Sequence, residues 1–375
     1  MTRTLLILQD SPDFGGHEAM FLRFLPAVVA DGYDRIVMRH PAGNRTLAER
    51  MKPFLSDRFE VAGWSFAKRR AEPYLASFRT DYAHVVRRLF EEVRPTTTLL
   101  LQGRIENCAV PLLAAPAGHF VVSYVPMAHR MADMGRSAVP GDWVRRRLYR
   151  RPNRFIVPGS AIVGQVRAAG GRSPVVVAHN VVAPPPRPAH DDARAALGLD
   201  PAARVALFLG RLDTRQKGLD TLIQAIRRQV ESLSGWSFLF VGAGDGEAAC
   251  RQLAADLARR IDIRCLSWTD SPHAVLAAAD AMLMPSRWEG VPLVMLEAMT
   301  YGVPIIASDI DVFRDYLPEA NRIDFARDDL AQALDRAVAT GDAYRERAAL
   351  RLGQTGLDRS AARFVSALDP ERIAA

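Results

Sequence analysis

Two glutamates in one short segment of the chain have seven residues between them. Glu289 follows a short apolar run that ends at Pro285, and Glu297 lies in an apolar stretch with 3–4 spacing. This pattern predicts a strand, a loop that holds Glu289, and a helix that holds Glu297 about one and a half turns from its start. The two carboxylates therefore cannot form an i, i+4 pair, and we expect them to contact different parts of one ligand. Carboxylate oxygens accept hydrogen bonds well, which favours a ligand with neighbouring hydroxyl groups.

The loop that holds Glu289 is also suited to an anion. Pro292 fits the first turn of the predicted helix, and Gly302 fits the left-handed exit from its last turn. The loop then lies at the carboxyl end of a strand and at a helix N-terminus, where backbone N–H groups and the helix dipole favour negative charge. A sugar nucleotide has both features, because its phosphates are anionic and hydroxyls lie on either side of them. The alternative is a solvated loop acid at 289 and a helix acid favoured by the dipole at 297.

Two cations stand in an earlier loop of the same predicted kind. Arg211 and Lys217 lie between the strand pattern Arg204–Leu209 and a helix pattern that begins at Leu219. If the leaving group is a nucleoside diphosphate, negative charge grows on its β-phosphate, and fixed cations lower the barrier by about 3 kcal/mol each. A metal is then not required. The alternative is that both cations are solvated loop residues.

The sequences of these two segments resemble those of a known family. Residues 286–308 read SRWEGVPLVMLEAMTYGVPIIAS, and residues 210–226 read GRLDTRQKGLDTLIQAI. Both resemble retaining glycosyltransferase family 4, whose members have the GT-B fold and an E-x7-E signature. The likeness is specific from about residue 204 to residue 309, and the rest of the chain matches in organisation and in one glycine loop.

The resemblance implies roles for individual residues. Arg211 and Lys217 would bind the diphosphate, and Glu297 would bind the ribose. The donor sugar would be held by Glu289 with the backbone of Gly290, Val291 and Pro292.

Further candidates for the nucleotide lie in the same half of the chain. The segment 241–246 reads VGAGDG, but a dinucleotide fingerprint would need glycine where Glu247 stands, so the dehydrogenase interpretation fails. In the resembled family this segment and the loop after the predicted strand Ile261–Cys265 flank the nucleotide. The resemblance therefore makes Gly242, Gly244 and Trp268 candidates for contacts with the base and the ribose.

The first half of the chain offers fewer candidates. Gly15 and Gly16 follow the strand pattern Thr4–Leu8 and precede a helical pattern, a place where the backbone can approach a ligand, although two glycines also describe a plain loop. Family members often carry a histidine just past a later strand, here Phe120–Tyr124. Val125 occupies the corresponding place, and His129 stands four residues further on as either a catalytic group or a surface residue.

The order of the predicted elements defines two domains. Alternating strand and helix patterns predict two doubly wound, mostly parallel α/β domains, which is the GT-B architecture with a ligand cleft between facing strand ends. We predict an N-terminal acceptor-binding domain over residues 1–178 and a proline-rich linker over 179–190. The prediction is completed by a nucleotide-sugar-binding domain over 191–355 and a C-terminal helix over 356–375. This helix either stays with the second domain or returns to the first.

Charge is shared unevenly between the two halves. Residues 1–180 carry 26 Lys/Arg against 15 Asp/Glu, whereas residues 181–375 carry 23 against 27. We hypothesise that the densest basic stretch, Trp143–Arg154, contacts an anionic membrane. The alternative is that it forms a solvated basic helix. We expect no nucleic-acid partner, because no recognised binding module is present. The three dispersed cysteines suggest neither a metal site nor disulfides. The N-terminal apolar run is too short for a signal sequence, so we expect a cytoplasmic protein, or one attached to the membrane surface.

These patterns predict a metal-independent, retaining glycosyltransferase of the hexosyltransferase type, without a cofactor. Its donor would be a nucleoside-diphosphate sugar, and its acceptor would be a sugar or a lipid-linked hydroxyl. The enzyme would act in the synthesis of cell-surface polysaccharide or lipid-linked saccharide. A sugar-nucleotide epimerase or phosphorylase of the same fold is an alternative. A non-catalytic sugar-nucleotide-binding subunit is another, to which Val125 gives weight.

Overall fold

The computed structural model describes residues 2–69, 72, 74–135, 139–269 and 272–372. The chain forms two compact units. The first contains residues 1–181 and 355–375, and the second contains residues 182–354. Each unit is a single parallel β-sheet with helices, which agrees with the α/β class predicted from the alternation of patterns.

The sheet of the first unit has seven parallel strands in the order β3-β2-β1-β4-β5-β6-β7. All six residues of β1 are buried, as expected for a strand covered on both faces. The strand order reverses between β1 and β4, and ligands of such sheets bind outside the carboxyl ends at this switch point. The strands are β1 Thr4–Gln9, β2 Arg35–Pro41, β3 Phe59–Trp64, β4 Thr97–Leu101, β5 Val121–Tyr124, β6 Arg154–Val157 and β7 Val175–Val177.

The helices of the first unit follow apolar faces in the sequence. In α3, for example, Tyr82, Val86, Leu89 and Phe90 are buried at helical spacing. Pro26 lies inside α1 without ending it. These helices are α1 Gly16–Ala30, α2 Arg45–Met51, α3 Thr80–Val93, α4 Ala109–Ala114, α5 Val139–Tyr149 and α6 Ser160–Ala168.

The sheet of the second unit has six parallel strands in the order β10-β9-β8-β11-β12-β13, so its switch point lies between β8 and β11. Its strands are β8 Arg204–Leu209, β9 Trp236–Val241, β10 Ile263–Leu266, β11 Ala281–Met284, β12 Ile305–Ser308 and β13 Arg322–Ile323. Its helices are α7 His190–Ala196, α8 Leu219–Arg228, α9 Glu247–Leu257, α10 Pro272–Ala278, α11 Leu293–Thr300, α12 Asp311–Tyr316, α13 Leu330–Ala339 and α14 Gly341–Gly353.

The last helix, α15 Leu357–Ser366, belongs to the first unit. The ring of Phe364 lies 4.9 Å from that of Phe24 and 6.2 Å from that of Phe21, both on α1. Burial of these rings attaches the C-terminal segment to the N-terminal part of the chain. Among the described residues, no helix combines the length and the apolar character needed to cross a bilayer.

Candidate functional site

The core of the candidate site is a contact between Lys217 and Glu289. Lys217 Nζ lies 2.6 Å from Glu289 Oε1, and the two side chains are 17% and 6% exposed. The Ser286 hydroxyl donates a second hydrogen bond of 2.8 Å to the same carboxylate oxygen. A lysine ammonium has three donors, so the contact with Glu289 leaves Lys217 able to bind a ligand as well.

Sheet topology explains why two residues 72 positions apart in the chain meet. Lys217 stands at the end of the loop after β8, and Glu289 stands in the loop after β11. These strands are neighbours, so their carboxyl ends bring the two loops together at the switch point of the second unit. The backbone N–H of Arg287 donates to the carbonyl of Gln216 at 2.8 Å, which fastens one loop to the other.

Arg211 joins this pair through a buried glutamine. Its guanidinium donates to Gln216 Oε1 at 3.0 Å, and Gln216 Nε2 donates to the Trp288 carbonyl at 3.3 Å. Asp213 accepts from the same guanidinium at 3.2 Å and from the backbone N–H of Gln216 at 2.6 Å. The Arg211 side chain remains 57% exposed, so a ligand can reach it. Gln216, Ser286 and Asp213 were not predicted, because their only signal in the sequence is position in the two loops.

Gly218 permits the close approach of the two loops. It lies just before α8 with a φ of 65°, in the left-handed region that favours glycine. A Cβ atom at this position would collide with the carbonyl of Pro285, the residue that follows β11. The glycine after Lys217 is therefore a requirement of the site geometry.

The predicted nucleotide-flanking residues lie on neighbouring loops of the same sheet edge. Gly242 and Gly244 have φ values of 151° and 156°, and a Cβ at either would collide with backbone of the loop after β8, at Gly210 and Leu212 respectively. The backbone N–H of Leu212 donates to the Ala243 carbonyl at 2.9 Å. Trp268, in the loop after β10, is 61% exposed and offers a large apolar face to a ligand.

Helix α11 carries Glu297, its fifth residue. The helix begins at Leu293 and Pro292 is its N-cap residue, so the prediction that Pro292 lies in the first helical turn was wrong by one residue. Gly302, just past the C-cap residue Tyr301, has a φ of 66° as predicted for the helix exit. Glu297 is half-buried. The pKa of Tyr301 is raised mainly by the burial of its own hydroxyl and secondly by the charge of Glu297. Gly290 and Val291 complete the loop, and Val291 is buried.

In the first unit, Gly15 is the N-cap residue of α1 and Gly16 is its first residue. The backbone N–H of Gly15 donates to Glu18 Oε2 at 2.8 Å, which forms half of a capping box. The glycine loop follows β1 and therefore lies at the switch point of the first unit.

His129 lies in the loop after β5 and is half-buried. Its carbonyl accepts a hydrogen bond of 2.8 Å from the guanidinium of Arg145. Val125, at the place where the resembled family often has its histidine, is fully buried. A catalytic role for His129 stays a prediction.

The basic stretch Trp143–Arg154 is not one solvated surface. Arg145 is buried against Glu106, with Nε 3.1 Å from the carboxylate, and Arg154 is buried where it donates to C-terminal carbonyls such as that of Asp369. Including these two arginines in a membrane-facing set was therefore wrong. The exposed members are Trp143, Asn153 and the arginines at positions 146, 147, 150 and 151.

Taken over the described part of the chain, no group of three or more His, Cys, Asp or Glu side chains is arranged to hold a metal ion. The polar groups of the site in the second unit are two cations, the three carboxylates of Asp213, Glu289 and Glu297, and the amide and hydroxyl groups around them. Such groups are suited to a ligand that has both phosphates and hydroxyls.

Two Rossmann-like α/β units with a loop site of this kind define the class of GT-B proteins. Solved structures confirm the fold. The structure of Anabaena HepE in complex with UDP has a TM-score of 0.71 at 17% identity and covers 96% of this chain and 98% of that one. The lipopolysaccharide outer core galactosyltransferase WaaB has a TM-score of 0.70 at 17% identity, with 97% and 98% covered.

A family model matches most of the second unit. Residues 203–340 match the model described as Glycosyl transferases group 1. The predicted resemblance to family 4 glycosyltransferases is thereby confirmed. The lipopolysaccharide core biosynthesis mannosyltransferase LpsB of Rhizobium meliloti is 32% identical over 194 residues, which are 49% of this chain and 54% of LpsB. The chain thus spans about half the length of that relative.

Proposed function

We propose that the protein is a retaining glycosyltransferase that moves a sugar from a nucleoside-diphosphate sugar to an acceptor hydroxyl. The observation that carries the proposal is the contact of Lys217 with Glu289 at the switch point of a unit that matches the group 1 model. Two relatives with lipopolysaccharide in their names, the mannosyltransferase LpsB and the Escherichia coli glucosyltransferase WaaG, support an acceptor in cell-surface glycolipid or polysaccharide synthesis.

The chemistry follows from the charges on the two loops. As the bond between the sugar and the diphosphate breaks, negative charge grows on the β-phosphate, and Arg211 and Lys217 stabilise it. Glu289 accepts hydrogen bonds from hydroxyls of the donor sugar, and its contact with Lys217 holds sugar and phosphate in a fixed relation. Glu297 accepts from the ribose. The acceptor attacks the face that the diphosphate leaves, and a phosphate oxygen takes the hydroxyl proton, so the anomeric configuration is retained.

The test begins with a thermal-shift screen against UDP-, GDP- and other nucleotide sugars, because a ligand that binds the folded state raises the melting temperature. The donor found in this way is then incubated with and without candidate acceptors, and NMR reports the anomeric configuration of the product. We expect transfer with retention. An inverted product contradicts the proposed mechanism, and conversion of the donor without an acceptor identifies an epimerase instead.

We further propose that the first unit contacts an anionic membrane, where a lipid-linked acceptor would reside. The exposed residues of the stretch Trp143–Arg154 are Trp143, Asn153 and four arginines, at positions 146, 147, 150 and 151. Beside the start of this helix, the Tyr74 hydroxyl lies against Gly141, and Tyr74, Leu75 and Phe78 are 44%, 42% and 77% exposed. Exposed aromatic and aliphatic side chains next to cations are typical of a surface that lies on a bilayer.

Co-sedimentation with vesicles that contain phosphatidylserine tests this surface. Reversing the charges of Arg146, Arg147 and Arg150 removes about 1 kcal/mol per cation, so we expect binding to fall by about 100-fold or more. The matched control reverses Arg336 and Arg347, which are exposed in the second unit. Equal binding by the wild type and the triple variant would refute the membrane contact.

A further inference from the structure

The carboxyl ends of β1 and β4 in the first unit carry a group of buried polar side chains. Gln9 ends β1, Gln102 follows β4, and both are fully buried. Neither Gln9 Oε1 nor Gln102 Oε1 receives a hydrogen bond from the residues that the structure describes. Buried acceptors without donors are costly and are typical of places that a polar ligand or water completes.

His17, on the first turn of α1, lies at this switch point. Its Nε2 atom is 2.9 Å from Glu18 Oε1, an ion-pair distance that falls outside hydrogen-bond geometry, and its side chain is 11% exposed. Glu18 is fully buried and held in place, because Gln9 Nε2 donates to Oε1 at 2.8 Å and the Gly15 N–H donates to Oε2 at 2.8 Å. The imidazole packs over Gly103, where an added Cβ would lie 3.1 Å from the ring carbon Cε1 and 3.3 Å from Nδ1.

The neighbouring carboxylate favours one tautomer of the neutral imidazole. A carboxylate oxygen at 2.9 Å repels a lone pair, so in the neutral ring the proton resides on Nε2. Nδ1 then carries the lone pair. An acceptor nitrogen whose ring is oriented by a buried carboxylate is suited to bind a hydroxyl group.

We propose that His17 accepts a hydrogen bond through Nδ1 from a hydroxyl of a sugar substrate, with Glu18 as its positioning residue. The inference rests on the proposed function and adds a residue of the first unit that contacts substrate. The hydroxyl belongs either to the acceptor or to the donor sugar.

Two substitutions separate a substrate contact from a structural one. The amide of His17→Gln occupies the place of Nε2, so it keeps the contact with Glu18 and loses the acceptor at Nδ1. The amide of His17→Asn occupies the place of Nδ1, so it keeps the acceptor and loses the contact with Glu18. If His17 binds a hydroxyl, H17N should be the more active of the two variants and H17Q the more stable.

We expect kcat/KM to fall by about tenfold in H17Q, because one hydrogen bond to the substrate is lost. In H17N, kcat/KM should stay within about threefold of the wild-type value. Melting temperatures should place H17Q above H17N. His84, exposed on α3, provides the matched control H84Q, which should change neither quantity. Calorimetric titration of the donor alone distinguishes the sources: weaker donor binding in H17Q assigns the hydroxyl to the donor, and an increased acceptor KM with unchanged donor binding assigns it to the acceptor.

Nitrogen NMR of the histidine rings provides a readout independent of turnover, with the neutral Nε2–H tautomer expected for His17. Equal losses in both variants, or a larger loss in H17N, would overturn the proposal. If the wild-type chain transfers sugar and H17Q is unchanged, this inference alone fails. If the wild-type chain transfers sugar from no donor, the proposed function fails and this inference with it.

Discussion

Replacing Lys217 by methionine tests the central contact of the site without any substrate. The Glu289 side chain is 6% exposed, and the variant leaves its carboxylate buried without the ammonium now 2.6 Å away. Removing one partner of a buried ion pair costs about 3 kcal/mol. In a unit the size of residues 182–354, each kcal/mol lowers Tm by about 2–4 °C, so we expect a decrease of roughly 6–12 °C.

Calorimetry of the full chain measures this shift, and two further variants interpret it. The double variant K217M/E289Q removes both charges, so we expect it to be more stable than K217M alone. The control R251M breaks the ion pair of Arg251 with Glu247 in the same unit, whose side chains are 66% and 36% exposed. Exposed pairs contribute about 0–1 kcal/mol, so Tm should change little. A K217M shift no larger than that of R251M would refute the argument that the contact is buried and energetically strong.

Two other predictions follow from local geometry. Gly218→Ala places a Cβ against the Pro285 carbonyl at a φ of 65°, so we expect a loss above about 2 kcal/mol in denaturant unfolding, whereas Gly164→Ala in α6, with open space around its Cβ, should be neutral or stabilising. Burial raises the pKa of Asp10 to about 7 from its ordinary value of 3.8, so the folded state retains a proton that the unfolded state releases. Stability should therefore fall as the pH rises from about 4 to about 7, and Asp10→Asn should flatten that part of the profile; an unchanged slope would contradict the assignment.

Local patterns in the sequence determined the class of fold and the loops of the site. Apolar runs of strand length alternate with helical patterns, so the strand Arg204–Leu209 was predicted with its bounds as the structure has them. Arg211, Lys217 and Glu289 were assigned to strand-to-helix loops for the same reason, because a loop is recognised from the elements on either side of it. The strand β3 was not predicted, since Phe59–Trp64 has only its two ends buried.

The tertiary structure decided which of these loops meet and which charges are buried. Strand order is a non-local property, so the adjacency of β8 and β11, which brings Lys217 to Glu289, cannot be obtained from either segment alone. The same is true of Arg145, a member of a basic run that is buried against Glu106 from another loop, and of His17, whose ring packs over Gly103. Sequence periodicity records which face of an element is apolar, whereas the partner of a polar side chain is set by the path of the whole chain.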